Sequence, residues 1–396
     1  MWVKRRPVTL LVMNNIAAIV ALVCGVGCAA APDTVNQMQK TTPWSAPDQW
    51  GPLDVGAATM RWVDARGKPM VAEVWFPAVA EATDMPKPYP PMAISGEAFR
   101  GVAWDDRYGP YPLVAFSHGY GGVRFQSLYL TEFLASHGFV VVSPDHTHNT
   151  FLDLNDDHLI DIVVQRPGDV IESVNELLSR SRDPEDRFGG LVDGNQYAVL
   201  GHSFGGLTSM MVGGGRLNIE GLLARCDSGR GRLCSTLTQL TEQHLEGHQM
   251  RDPRAVVTVP MSPGLWYAFG SDGETAPGLE GVQNPLVLGG DADPVLSFDE
   301  EIVPSFSNMA APKTLVNFHQ TGHYAFSNMC DLAPFFTDEC TSDEQTWANV
   351  ERVQQQSRTV VLAHIRSLLN GEAKDAPYRA EEWLAGVTGV TVDTER

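Results

Sequence analysis

The run Tyr197-Ala198-Val199-Leu200-Gly201-His202-Ser203-Phe204-Gly205-Gly206 constrains this chain more than any other stretch. An unbroken apolar segment ends there in a serine with glycines two positions before and two after it, the spacing of a strand that turns sharply into a helix. Such a turn strains the serine's backbone and crowds the residues around it, so only glycine leaves room at those two positions. The Ser203 hydroxyl is then raised above the carboxyl edge of a sheet. The first amides of the next helix, Phe204 among them, aim at whatever it attacks. The five-residue pattern also recurs by chance in glycine-rich proteins, so its weight rests on its flanks.

Those flanks have the rhythm of a mostly parallel sheet wrapped by helices. Thr59–Val63 and Met70–Phe76 alternate as two strands about a turn at Arg66-Gly67-Lys68, and residues 79–110, rich in Pro, Gly and charge, read as a long surface loop. Continuous apolar runs follow at Pro112–Phe116, Phe139–Ser143, Ala255–Val259, Pro285–Leu288 and Thr314–Phe318, with helical stretches between them. One helix is expected from about Pro167 to Arg180, with Pro167 in its first turn and Val170, Val174, Leu177 and Leu178 on one stripe. Another is expected over Asp343–Asn370, started by a capping box of Thr341 with Glu344 and stopped by Gly371. Residues 213–253 break the rhythm and read as an inserted cap over the site. The fold class is therefore α/β, with one domain over 51–371 and a tail from 372 to 396 that packs loosely or wraps the surface.

At 396 residues, 43% of them apolar, the chain holds ample core. Its 28 basic and 48 acidic residues leave a net charge of -20, which repels a phosphate backbone and argues against nucleic acid as a partner. Lys4, Arg5 and Arg6, the apolar segment from about Ile16 to Val26 and the small residues after it lay out an export signal over 1–27, followed by a linker over 28–50. Cys28 suits a lipoprotein box that would attach the protein to a membrane, and cleavage near Ala30 by an ordinary signal peptidase is the rival. Beyond it the cysteines fall into two local pairs, Cys226 with Cys234 and Cys330 with Cys340, which an oxidising compartment would close as disulfides. Neither pair has zinc-ligand spacing, and no metal or other cofactor is called for.

A serine hydroxyl becomes a useful nucleophile when a histidine takes its proton and a carboxylate orients that histidine. Asp291 and Asp293 follow the strand at 286–288, and His319 and His323 follow the strand at 314–318. Of the acids, Asp293 is preferred because it lies far enough past the strand to turn back over the sheet edge, while Asp291 serves the loop. Of the histidines, His323 is preferred because it sits on a glycine-preceded loop tip. The loop Ser117-His118-Gly119-Tyr120-Gly121-Gly122, after an early buried strand, offers the Tyr120 amide as one oxyanion donor, and Phe204 offers the other. His146 and His148 read as parts of a hydrogen-bonded loop, and His202 and His364 as packed histidines. Trp266 reads either as a wall of the acyl or alcohol pocket or as core.

The blocks Tyr111–Gly119, Leu134–Val141 and Gly201–Gly206 resemble the plasma-type platelet-activating factor acetylhydrolases and the bacterial proteins labelled predicted dienelactone hydrolases. The resemblance spans roughly residues 50–370. It implies an α/β-hydrolase fold and a metal-free serine esterase of short acyl groups, with Ser203 as nucleophile, His323 as base and Tyr120 and Phe204 as oxyanion donors. Two departures stand out. The acetylhydrolases place their acid after the sixth strand, where this chain has Met261-Ser262, so the acid must be the later Asp293, as in cutinase-like polyester hydrolases. True dienelactone hydrolases use a cysteine nucleophile, which Ser203 is not.

The expected function is an exported serine carboxylic ester hydrolase acting on small-molecule or lipid esters. A serine peptidase or amidase on the same fold is the alternative within enzymes. A binding protein on a degenerate hydrolase scaffold is the alternative outside them, and it would be expected to have lost the nucleophile or the base.

Overall fold

Hydrogen bonding joins the apolar runs into one sheet in the computed structural model, which describes residues 45–396 apart from 91–93, 228, 230–233, 271, 273, 334–335, 342–345, 370–383 and 385. Its strands are β1 (Asp54–Val63), β2 (Pro69–Val79), β3 (Phe99–Arg100), β4 (Ala103–Trp104), β5 (Tyr111–Ser117), β6 (Val140–Pro144), β7 (Val192–His202), β8 (Ala255–Met261), β9 (Leu286–Gly290), β10 (Lys313–Phe318) and β11 (Val390–Glu395). They run in the order β11-β10-β9-β8-β7-β5-β6-β2-β1-β3, with β4 beside β2. From β6 to β10 every pairing is parallel, while β1, β2 and β11 attach antiparallel at the two sides.

The period of two along the strands divides the core between two faces. Val114, Phe116, Val141, Ala198, Leu200 and Val259 point to one face and pack with Leu130, Phe133, Leu134, Val360, Val361 and Ile365 of the helices Leu128–Ser136 and Val350–Leu369. Leu113, Ala115, Val140, Val142 and Val199 point to the other, against Val170, Val174, Leu177 and Leu178 of the helix Leu159–Arg182. Covering both faces is what parallel strands require. It leaves the carboxyl ends of β5, β7, β9 and β10 as the edge from which loops can converge.

Several expectations are corrected. The helix expected at Pro167 begins at Leu159, so Pro167 lies inside it. Asn155 caps the preceding turn by accepting from the Asp157 amide, and Leu159, Ile162 and Val163 are buried, which outweighs the one hydrogen bond a proline removes. The last long helix begins at Val350 instead of 343. Glu344 and Gly371, its supposed start and stop, lie outside the described residues, as do the export signal, Cys28 and most of the linker. The tail does more than wrap the surface, because Val390–Glu395 pairs with all six residues of β10.

Both cysteine pairs are disulfides, Cys226–Cys234 and Cys330–Cys340, with Cα atoms 5.4 and 5.0 Å apart. Among the described residues no helix is long and apolar enough to cross a membrane. Deleting residues 390–396 should strip the outer partner from β10 and uncover the apolar residues that Val390 packs with. The expected loss is on the order of 2 kcal/mol, and calorimetry should read it as a thermal midpoint lower by several degrees; an unchanged midpoint would mean that β11 contributes nothing.

Candidate active site

Strain marks the end of β7. Ser203 has φ 58° and ψ -120°, a region that residues with a Cβ rarely occupy, and the helix Phe204–Val212 starts directly after it. The turn is held because the Ser203 amide donates to the Met261 carbonyl at 2.8 Å. Its glycines are needed for space. A Cβ on Gly201 would lie 2.0 Å from the Gly205 carbonyl oxygen, and one on Gly205 would lie 1.9 Å from that of Ser117.

The loops after β9 and β10 bring Asp293 and His323 together. His323 Nδ1 lies 2.7 Å from Asp293 Oδ2, and both side chains are buried. The other carboxylate oxygen accepts from the Val295 and Leu296 amides at 2.8 Å each, which fixes its rotamer. The rejected candidates pair with each other: Asp291 accepts from His319 Nδ1 and from the Gln320 amide, both at 2.7 Å, on a half-exposed surface. The two Asp residues of one loop thus serve the two His residues of the next, one pair in the interior and one at the surface.

A relay connects these loops to the turn at Ser203. His202 Nε2 donates to the His323 carbonyl at 2.8 Å, so its Nδ1 must accept, and it does so from the Gln126 side-chain amide at 2.9 Å. Gln126 then uses its oxygen to accept from the Gly119 amide at 2.9 Å. Burial, reinforced by the nearby His323, pushes His202 down to about 3, which keeps it in the neutral form that this chain of donors demands.

Beneath the loop 117–122 lies a second network. Ser117 Oγ is 2.9 Å from His146 Nε2, His146 Nδ1 is 3.1 Å from Asp169, and Lys68 reaches Asp169 at 2.8 Å. The order serine, histidine, aspartate repeats here, but Ser117 is fully buried and its oxygen also accepts from Arg166 at 3.0 Å. Arg166 further donates to the His118 carbonyl and to Asn149, and its guanidinium lies 5.2 Å from the Phe204 ring. Burial drives Arg166 down to about 9 and His146 well below the usual imidazole range, the latter helped by Arg166 and Lys68. His146 is therefore a neutral ring that donates from Nδ1 to Asp169, which Lys68 pairs, and the network is a support for the loop.

Tyr120, Ser203 and Phe204 line one cavity of about 340 Å³ with Leu207, Gly264, Leu265, Val295 and Leu296. Its wall is apolar apart from the serine and the Tyr120 phenol. That phenol donates to Asp156, and burial with this contact holds its ionisation well above the usual range. Trp266 is not part of the wall. It is buried, its indole donates to the Glu300 carbonyl at 2.8 Å, and the guanidinium of Arg225 lies over it. Its neighbours Gly264 and Leu265 shape the cavity instead, and Leu265, at φ 62°, is fixed by donating its amide to Glu301. Among the described residues of the insertion at 213–253 none lines this cavity, and Ile219, Leu222, Leu237 and Leu240 pack behind its wall against Leu207, Leu265 and Val163.

Three residues of this region carry no signal in the sequence. Gln126 and Arg166 act through contacts 76 and 49 residues away, beyond any motif. Glu339 is buried against the loop of His323, where it accepts from the Tyr324 amide. The remaining histidines are structural: His148 stacks on His158, and His364 lies 2.9 Å from the Asn284 carbonyl.

Comparison with known proteins agrees with this architecture. The sequence model of the family described as platelet-activating factor acetylhydrolase, isoform II, matches residues 93–152, which take in the loop 117–122 and stop short of Ser203. The solved structure of a ferulic acid esterase from Streptomyces cinnamoneus superposes with a TM-score of 0.55 at 18% identity, over 81% of this chain and 92% of that one. No curated protein matches the sequence. At that identity the likeness is one of fold.

The relay makes a prediction about pH. His202 has its folded value depressed far below an unfolded value of about 6.5, so the stability it supports is present above pH 6.5 and is lost as pH falls. Replacing it in His202→Gln keeps a donor and an acceptor without a titrating ring. The wild type's advantage in stability over this variant should shrink below pH 6.5 by about 1.4 kcal/mol per pH unit, read from denaturant unfolding at pH 7, 6 and 5; a constant difference would show that His202 is charged in the folded protein.

Proposed function

We propose that this chain, which has the α/β-hydrolase fold and resembles the platelet-activating factor acetylhydrolases, is a serine carboxylic ester hydrolase. The observation that carries the reading is a strained serine on the wall of an apolar cavity, beside a loop whose histidine is held at 2.7 Å by a buried carboxylate. Strain of this kind persists where exposure of a side chain is worth its cost.

Ser203 attacks the ester carbonyl while His323 takes its proton through Nε2, the nitrogen that Asp293 leaves free. Asp293 fixes the tautomer and stabilises the imidazolium. Negative charge on the carbonyl oxygen is met by the amides of Tyr120 and Phe204, on two elements that Arg166 braces from beneath. His323 returns the proton to the alcohol as it leaves. Water activated by the same histidine then releases the acyl group from Ser203. No step calls for a metal.

The cavity lies at the small end of the range for small-molecule sites and is apolar, which suits a short acyl chain. The departure at Met261-Ser262 keeps polyester-type esters among the candidates, and the name of the solved neighbour adds aromatic acids. Two disulfides suit an oxidising compartment, so export belongs to the proposal.

Ser203→Ala should abolish both labelling by a fluorophosphonate and hydrolysis of p-nitrophenyl esters, and Asp293→Asn should lower kcat by about 10⁴. Within a series from acetate to palmitate, with methyl ferulate alongside, kcat/KM should be highest among the short chains. A wild-type protein that stays unlabelled would end the enzyme reading, and a preference for palmitate would end the short-acyl one.

A further inference from the structure

The mechanism leaves one buried acid unexplained. Glu339 is 3% exposed, and one of its oxygens accepts from the Tyr324 amide, directly after His323. The other oxygen has no hydrogen-bond partner among the described residues. A Cβ on Gly322 would lie 1.5 Å from that second oxygen, so the glycine before His323 is what gives the carboxyl its place. The chain is closed at that point by Cys330–Cys340, whose second cysteine is the next residue after Glu339.

Accepting from the backbone of this turn needs an oxygen and no ionisable group. A buried, unpartnered carboxyl oxygen costs free energy that an amide or a hydroxyl there would avoid. We propose that Glu339 is a positioning residue for the catalytic base: held in place by the Cys330–Cys340 crosslink, it seats the turn Gly322–Tyr324 and supplies a negative charge that favours the imidazolium of His323. The inference rests on the reading of His323 as the base.

Among the described residues, the charged and titratable groups around this pair come from three parts of the chain. Asp293 approaches His323 from the loop after β9, and His202 approaches from the end of β7 as a neutral ring. Tyr324 stands edge-on to His323 at 5.2 Å, its phenol pushed up by burial, then by Glu339 and Asp293, and Asp338 beside Glu339 is exposed. Burial pushes Glu339 up to about 7 against the pull of its backbone hydrogen bonds and of His323, so both of its states are populated near neutrality. Asp293 and Glu339 thus approach His323 from two different loops.

The test is the titration of the His323 ring, followed by NMR on histidine-labelled protein, in the wild type and in Glu339→Gln. The amide keeps the shape and removes the charge, so the His323 midpoint should move to lower pH by roughly 0.5–1 unit. The acid limb of kcat/KM for p-nitrophenyl butyrate should move with it, and Glu339→Asp should restore part of the shift. A seating role alone would lower kcat and leave both midpoints in place. Gly322→Ala, which must expel the carboxyl, is the second variant and should shift the ring in the same direction. Superimposable His323 titrations in the wild type and in whichever variants fold would overturn the proposal. A shift in a wild type that neither hydrolyses esters nor reacts with a fluorophosphonate would uphold the placement of Glu339 and defeat the hydrolase reading.

Discussion

A neutral imidazole at His202 is the contact on which the site depends. Because its ring is buried too deeply to charge, its donor and acceptor nitrogens are fixed in role, and each role is filled by a different loop. The donor holds the backbone of His323, and the acceptor holds Gln126, which holds Gly119. The relay runs along the carboxyl edge of the sheet, tying β5, β7 and β10 at the ends where their loops would otherwise move independently. A charged ring would lose the bond from Gln126, and a rotated ring would lose both of its bonds.

The strain at Ser203 is sustained by crowding of the same kind. Gly201, Gly205 and Ser117 bring three pieces of backbone so close that a single methyl group would have nowhere to go. Under them, Arg166 is a buried cation with its hydrogen bonds shared among Ser117, His118, Asn149 and Thr208. Such a group is costly to bury and costly to truncate. Its presence beneath the loop 117–122 is best understood as rigidity purchased where a backbone amide must point in one direction.

What the sequence made legible follows from how far each interaction reaches. Continuous apolar runs announced the parallel strands, and the glycine spacing announced the turn at Ser203, because both are set by immediate neighbours. Position along the loop separates Asp293 from Asp291 and His323 from His319, and the pairing of each acid with its own histidine has that same local origin. The start of the helix at Leu159 was missed because Pro167 looks like a first turn, although Leu159, Ile162 and Val163 carry the helical stripe upstream of it. The strand β11 was missed although Val390-Thr391-Val392 alternates, because a short alternation counts for little until its partner is known. Gln126, Arg166 and Glu339 had no local mark at all, and Trp266 had a misleading one, since an aromatic in a Pro/Gly loop suits a pocket wall as well as a core.

Where the acetylhydrolase resemblance implies an acid after β8, this chain has Ser262, and the carboxylate sits one strand further along at Asp293. Under the proposed mechanism the end of β8 carries no reacting group, and it runs into Gly264 and Leu265, which line the pocket. The pocket wall thus includes one loop, that after β8, on which none of the proposed triad residues lies. Substitutions at Gly264 and Leu265 would reshape that wall without replacing Ser203, Asp293 or His323, which leaves such a scaffold open to divergence under the proposed mechanism.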